Sequence, residues 1–244
     1  VLHCAAYTNV DRSETEPSVA SAINIDGTSN LARLAQKVGA EFFYPQTFLI
    51  FDGSKERFVE SDAPTPLSVY SQTKWDAEVR LRKELDSALI VRMGGFVGGD
   101  SADKNFAGKF INHVFHLIQT GVTSYEVGTR VWQPTYTIDL ARNVLALLAG
   151  EKRGVYHMAS HGEASFFELS REIVSGLGLE DRLEIKPSQP NTFREAAKRP
   201  DRVILENRRL QEEGFDQQRD WRKGIRDYLS RPYFKSRLSE WGKS

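Results

Sequence analysis

The stretch VYSQTKWDAE, residues 69–78, places a phenol, Tyr70, four residues ahead of an ammonium, Lys74. In a helix that spacing puts both groups on one face. A free phenol titrates at about pH 10. A neighbouring positive charge favours the phenolate and draws that value toward the working range. Such a tyrosine can give its proton to a carbonyl oxygen as hydride arrives at the carbon, or run the reverse, so the pair suits ketone and alcohol interconversion. The spacing recurs by chance in a chain with 8 tyrosines, so other features must agree with it. Upstream, EFFYPQTFLIFDG reads as a strand with Thr47 toward its C-terminal end, where a parallel sheet would turn the hydroxyl toward the same crevice. The loop between them, DGSKERFVESDAPTPLSVY, is polar and proline-rich, as the rims of active sites are.

The elements that would position these groups alternate along the chain. VLHCAA reads as a buried strand. From Glu16, the residues Val19, Ala22, Ile23, Leu31, Leu34, Ala35 and Val38 recur at three- and four-residue intervals, predicting a helix with Gly39 at its C′ position. After the Thr47 strand come a helix over 69–85, the strand ALIVRMGGFVGG, a helix over 106–120, the short strand TSYEV, the helix within TYTIDLARNVLALLAG and the strand GVYHMAS. Helices alternating with nearly continuous apolar strands predict an α/β fold, a Rossmann-like parallel sheet with helices on both faces. SFFELSREIVSGLGL, ENRRLQEEGF and WRKGIRDYLSR predict the helices of a small helical substrate lobe. The expected division is a dinucleotide-binding part over 1–97 and 135–159, and a substrate-binding lobe over 98–134 and 160–244.

Thirty-three basic residues balance thirty-three acidic ones in 244, so no global field recruits nucleic acid or an anionic membrane. The arginines between positions 194 and 231 are interleaved with acids and read as a solvated helical face or, for one or two of them, as phosphate ligands. Cys4 is the single cysteine, which fits a reducing compartment and excludes a disulfide framework. His113 and His116 share a helical face without a carboxylate to complete a metal site, so no metal is expected. No apolar run is long enough to cross a bilayer, and the cytoplasm is the expected location.

VLHCAAYTNVDRSETEP, AINIDGTSNLARLAQKVGA, the FDG after Thr47 and PLSVYSQTKWDAE resemble the extended short-chain dehydrogenase/reductase family, and within it the dTDP-4-dehydrorhamnose reductases. QPTYTIDLA, GVYHMAS and KRPDRVILENRRL extend the resemblance along essentially the whole chain. It implies a reductase acting on a keto group of a nucleotide-linked sugar, with NADPH or NADH as cofactor and, compatibly, a homodimer. Tyr70 matches the catalytic tyrosine, Lys74 the lysine that hydrogen-bonds the nicotinamide ribose, and Thr47 the hydroxyl that orients the substrate carbonyl. Ala5, Ala6 and Tyr7 match strand-end residues that lie against the dinucleotide. Substrate contacts are implied for Thr47, Phe48, Gly95, Thr135 and Arg199. For Thr135 ordinary helix capping is the alternative, and for Arg199 a solvated cluster with Lys198 and Arg202.

The sequence also departs from the family. Phe48 and Leu49 stand where an Asp and a Tyr usually follow the threonine, and Met93, Gly94 and Gly95 follow Arg92 where a tryptophan usually meets the substrate. Two alternatives therefore stand beside the reductase: a non-catalytic regulatory subunit of the methionine adenosyltransferase β type, and a sugar-nucleotide epimerase. No G-x-x-G-x-x-G turn for a pyrophosphate occurs in the chain. The expectation is of a longer protein in which roughly 50 to 60 residues precede VLHCAA. The 244-residue chain by itself is then expected to bind no dinucleotide measurably, and micromolar affinity for NADH or NADPH by calorimetry would refute this.

Overall fold

The computed structural model describes residues 1–189, 192 and 195–241. Its contacts divide the chain into two compact units. One is Val1–Gly94, Asn143–Ala159 and Arg194–Asp216; the other is Gly95–Arg142, Ser160–Phe193 and Gln217–Ser244. The sequence reading placed 194–216 with the substrate lobe and 95–97 with the sheet. Segment 203–206 is drawn to the first unit by main-chain bonds from Phe58 N to Ile204 O, 2.8 Å, and from Glu206 N to Phe58 O, 2.8 Å. Val203 and Leu205 complete a core there with Ile50, Phe51, Phe58 and Ala159.

The first unit is built on a parallel sheet of β1 (Phe43–Thr47), β2 (Leu89–Met93) and a third strand, Gly154–Met158, with β2 in the middle. All five residues of β2 are buried, as expected of a central parallel strand covered on both faces. Tyr44, Ile90 and Val155 stand in register on one face. They pack against Ala32, Ala35, Ala77 and Leu81 of the helices Gly27–Val38 and Val69–Glu84. Burying each leucine or isoleucine there contributes about 1.5–3 kcal/mol.

Two residues further along, on the same face, the register aligns Gln46, Arg92 and His157. They are 2%, 2% and 0% exposed, so three polar side chains lie in a row inside the core. Glu78 of the helix Val69–Glu84, 0% exposed, pairs with Arg92 at 2.6 Å. Arg92 also donates to the Glu60 carbonyl at 3.2 Å, and its guanidinium lies 5.6 and 5.8 Å from the rings of Phe51 and Trp75. Burial and the charge of Arg92 lower the His157 pKa to about 3, so this imidazole is neutral.

Two expectations are corrected. VLHCAA forms one parallel bridge, Leu2 to Phe43, and not a strand; His3 is buried while Val1 and Leu2 are 44% and 62% exposed. The described pairing of this stretch is to β1 on one side, which gives an extended run too few ladder bonds to persist. The helical region after Glu16 is broken into Pro17–Ser21, a π-turn at Ala22–Asp26 and Gly27–Val38, closed by Gly39 at φ 67° as expected. It turns Val19, Ile23, Leu34 and Val38 outward and buries Ala20, Asn24, Thr28, Ser29, Ala32 and Ala35. Small and polar residues win this face because it packs on the helix Val69–Glu84 and bonds to it: Asn24 Nδ2 to Thr73 Oγ1 at 3.0 Å, and Ser29 Oγ to Glu84 Oε1 at 2.7 Å.

The second unit is not purely helical. It carries the helices Phe106–Gln119, Phe166–Gly176 and Trp221–Leu229, and the start of Thr137–Ala149. Among the described residues it also has three two-stranded pairs: Gly95–Val97 with Pro134–Tyr136, Ser124–Val127 with Glu184–Pro187, and Val131–Trp132 with Ala164–Ser165. A capping box of Ser165 and Glu168 starts the helix Phe166–Gly176. Part of the proline-punctuated stretch from Pro187 to Pro200 lies outside the described residues.

The Glu78 and Arg92 pair generates a stability prediction. Glu78→Gln leaves the Arg92 guanidinium buried without a counter-charge, an effect of about 3–5 kcal/mol. Urea denaturation should show the midpoint falling accordingly, and a loss under about 1 kcal/mol would mean that Arg92 is not held by charge.

Candidate functional site

The helix Val69–Glu84 begins where several side chains converge on its free amides. Ser68 Oγ accepts from Ser71 N at 3.2 Å, and Glu14 Oε1 accepts from Val69 N at 2.9 Å. A serine N-cap and a carboxylate at the first amide are what the positive end of a helix favours. The first turn therefore has a fixed place, and Tyr70 and Lys74 project from it one turn apart, 9% and 4% exposed.

Thr47 ends β1 and caps the short 3₁₀ turn Phe48–Ile50, its Oγ1 accepting from Leu49 N at 3.2 Å. The hydroxyl proton is then free to turn toward the Tyr70 phenol, whose pKa the Thr47 side chain lowers. Burial pushes the phenol up to about 12, and the Thr47 bond opposes the rise by stabilising the phenolate. Burial pulls Lys74 down to about 7, against the opposing pull of Glu78 and then of Cys4. The Lys74 ammonium donates to the Pro45 carbonyl at 3.0 Å and lies 4.0 Å from the centre of the Tyr44 ring. This corrects the expected electrostatics: burial raises the phenol, and the Thr47 side chain is the group that opposes the rise.

Ala5, Ala6 and Tyr7 follow the Leu2 bridge as an irregular segment, Ala5 exposed and the other two half-buried. Asn24 holds its end, accepting from Tyr7 N at 2.8 Å and donating to Tyr7 O at 3.3 Å while bonding Thr73. Asn24 lies in the π-turn, a local widening of the kind that recurs at functional sites. The segment 5–7 and the Tyr70 helix are thereby tied together. Gly53 of FDG adopts φ 80°, and a Cβ there would sit 2.4 Å from Arg202 O, so that turn requires glycine.

The other expected residues fare differently. Phe48 packs against the Ile50, Phe51 and Phe58 core. Arg199 is gripped by Asp11 at 2.9 and 2.8 Å, and Ala197 N donates to the same carboxylate at 3.1 Å. This bidentate contact holds the Asp11 carboxyl down at about 2. In the second unit, Thr135 is 0% exposed and its hydroxyl is spent on Gln133 O at 3.0 Å and Ser160 N at 3.1 Å. That bonding is internal to the unit. Gly95 is covered by an indole, since a Cβ on it would fall 1.9 Å from Trp132.

The sequence reading missed Gln46, Glu78 and Asn24. A signal existed for the first two. FYPQT, LIVRM and GVYHM each carry one polar residue at the fourth position of an otherwise mostly apolar strand, and Glu78 stands one turn beyond Lys74.

The parallel sheet with its flanking helices defines a Rossmann-like α/β protein. The model of the RmlD substrate binding domain matches residues 1–233, and the chain belongs to that family. A dTDP-4-dehydrorhamnose reductase of Streptomyces griseus is 33% identical, over 92% of this chain and 74% of the relative. Among solved structures, a dTDP-4-dehydrorhamnose reductase orthologue of Clostridium acetobutylicum superposes with a TM-score of 0.86 at 32% identity, over 94% of this chain and 79% of that one. The dTDP-4-dehydrorhamnose reductase of Bacillus anthracis in complex with NADP gives 0.85 at 30%, over 93% and 79%.

The lowered Lys74 pKa has a consequence for stability. Between pH 7 and the unfolded value near 10.4 the unfolded chain binds more protons at this site, so its contribution to stability rises with pH across that window. Below it, the full penalty of a buried charge is present. Lys74→Met should therefore raise the melting temperature of the ligand-free protein more at pH 6 than at pH 10; an equal gain at both would contradict the lowered value.

Proposed function

We propose that this protein is an NADPH- or NADH-dependent reductase of a keto group on a nucleotide-linked sugar, of the dTDP-4-dehydrorhamnose reductase type. The observation that carries the reading is the Tyr70 phenol, buried and protonated at neutral pH, its acidity raised by Thr47 at a strand's C-terminal end, with Lys74 one turn along. The named relatives support reduction over a regulatory subunit or an epimerase. The proposed ligand is thus a small molecule, not a nucleic acid or a bilayer, and the proposed location is the cytoplasm.

The residues present fit the nicotinamide end of the cofactor. An ammonium has three donors, and among the described residues Lys74 spends one, on Pro45 O. A buried cation with unspent donors suits the hydroxyls of a ribose, whose oxygens would also restore its charge. Ala5, Ala6 and Tyr7 would lie along the dinucleotide. When bound, the cofactor supplies the hydride.

The chain's own residues handle the oxygen. With substrate bound, the Thr47 hydroxyl would turn its one proton from the phenol to that oxygen, and Tyr70 would deliver its own proton as negative charge develops. A phenol at about 12 is fully protonated at pH 7, which suits the reductive direction. Arg199 would take a diphosphate only by exchanging Asp11 for it, since one guanidinium fork is already filled.

In the natural full-length protein, Tyr70→Phe should lower kcat by about 10²–10⁴-fold with dTDP-4-keto-6-deoxy sugar and NADPH, read as loss of reduced-cofactor absorbance. The cofactor's Kd should change little. Unaltered turnover in this variant would end the assignment of Tyr70.

A further inference from the structure

We infer that Gln46 is a positioning residue for this reaction, its buried side-chain amide clamping the main chains of Thr47 and Lys74 to one rigid plane. The inference rests on the function proposed above. Gln46 Oε1 accepts from Thr47 N at 2.9 Å, while Nε2 donates to Lys74 O at 2.8 Å and to Glu78 Oε2 at 3.0 Å. Every described contact of this amide therefore goes to the residue that meets the phenol, to the lysine, or to the carboxylate one turn beyond the lysine.

The orientation of the amide has one solution. Glu78 offers acceptor oxygens, fixed in turn by Arg92 Nη2 at 2.6 Å and Arg92 Nε at 3.2 Å. The NH₂ end of Gln46 must face it, which leaves the oxygen for Thr47 N. Charge in the core thus decides the direction in which the Thr47 peptide points, and with it where the Thr47 hydroxyl meets Tyr70. A purely apolar residue at 46 would fill the space and lose that constraint. At 2% exposure, water cannot replace the lost bonds.

The charged and titratable groups around the amide are Glu78 and Lys74 on the helix and Arg92 on β2, with His157 beyond Arg92. Tyr70 is reached through Thr47, and His3 is influenced by Lys74. This setting makes Gln46→Glu informative. Its new carboxyl would stand against the Glu78 carboxylate, and two like charges so close do not both ionise. Protonated, the new side chain donates to Glu78 and accepts from Thr47 N, reproducing two of the three bonds. Ionised, it repels Glu78 and releases Thr47.

The test compares wild type, Gln46→Met and Gln46→Glu in the natural full-length protein, with kcat per folded molecule, KM and pH profile measured on a 4-keto sugar nucleotide and NADPH. Gln46→Met should lose on the order of ten- to a hundredfold in kcat, with KM for NADPH nearly unchanged, as a misplaced catalytic group does. Gln46→Glu should approach wild type at low pH and lose activity through an added limb as pH rises. A Met variant that melts earlier yet turns over like wild type would overturn the inference and leave the reductase standing. Should the Met variant not fold, a Glu variant whose pH profile parallels wild type would overturn it equally. A wild type that turns over no keto sugar removes the reductase reading and this inference together.

Discussion

The ion pair of Glu78 and Arg92 constrains everything around the site, because neither partner reaches water and neither can be left alone. Such a pair adds little net stability compared with apolar residues of the same shape, but losing half of it is costly. Its value here is in direction. The carboxylate fixes which end of the Gln46 amide faces the helix, and the guanidinium fixes its own neighbours, donating to Glu60 O and standing 3.5 Å from His157 Nε2. Three parallel strands and one helix are thereby registered to each other at the level where Thr47 and Lys74 sit. An oily interior would allow small slides of the helix over the sheet; directional bonds at this depth do not.

Much of this was legible in the sequence, and what was not follows a pattern. Apolar runs located the strands at 43–47, 89–93 and 154–158, and the helix at 69–84 was found to within a residue. In the region 17–38 periodicity located the helical stretch but not its inner face: Ala35 is buried and Leu31 packs on the core, while Val19, Ile23, Leu34 and Val38 face outward and Asn24, Thr28 and Ser29 are buried. Hydrophobicity measures preference for leaving water, and this face is set by close packing and hydrogen bonds to a neighbouring helix. VLHCAA failed for the opposite reason. Its composition suits a buried strand, but burial needs neighbours, and its described pairing is to β1 alone.

The functional set shows the same division. Tyr70, Lys74 and Thr47 were found from residue type and spacing, since the chemistry demands those groups. Gln46 and Glu78 were passed over because an amide and a carboxylate in a strand and a helix look like ordinary solvent-facing residues until the register is known. Only the alignment of Gln46, Arg92 and His157 across three strands shows that each polar residue is buried with the others. Gly95 illustrates the limit of reading one position at a time. Beside a Trp132 ring that leaves no room for a Cβ, the glycine is an accommodation of that distant aromatic residue.

Desolvation then settles how the pair at the site behaves, in a direction that charge spacing alone does not suggest. Taken out of water, a phenol resists losing its proton and an ammonium resists keeping one, so burial moves Tyr70 up to about 12 and Lys74 down to about 7. Both shifts favour neutral groups in the free protein. A neutral phenol holding its proton is a ready acid for an oxygen that is gaining charge. A lysine poised near neutrality is one whose charge is set by the oxygens placed around it. In the proposed reductase, an oxygen-rich ligand at the donors of Lys74 would raise its positive charge, and that charge would in turn ease the departure of the phenol's proton. The acidity of Tyr70 would then follow occupancy of the site, with Thr47 providing the part that is present before any ligand arrives.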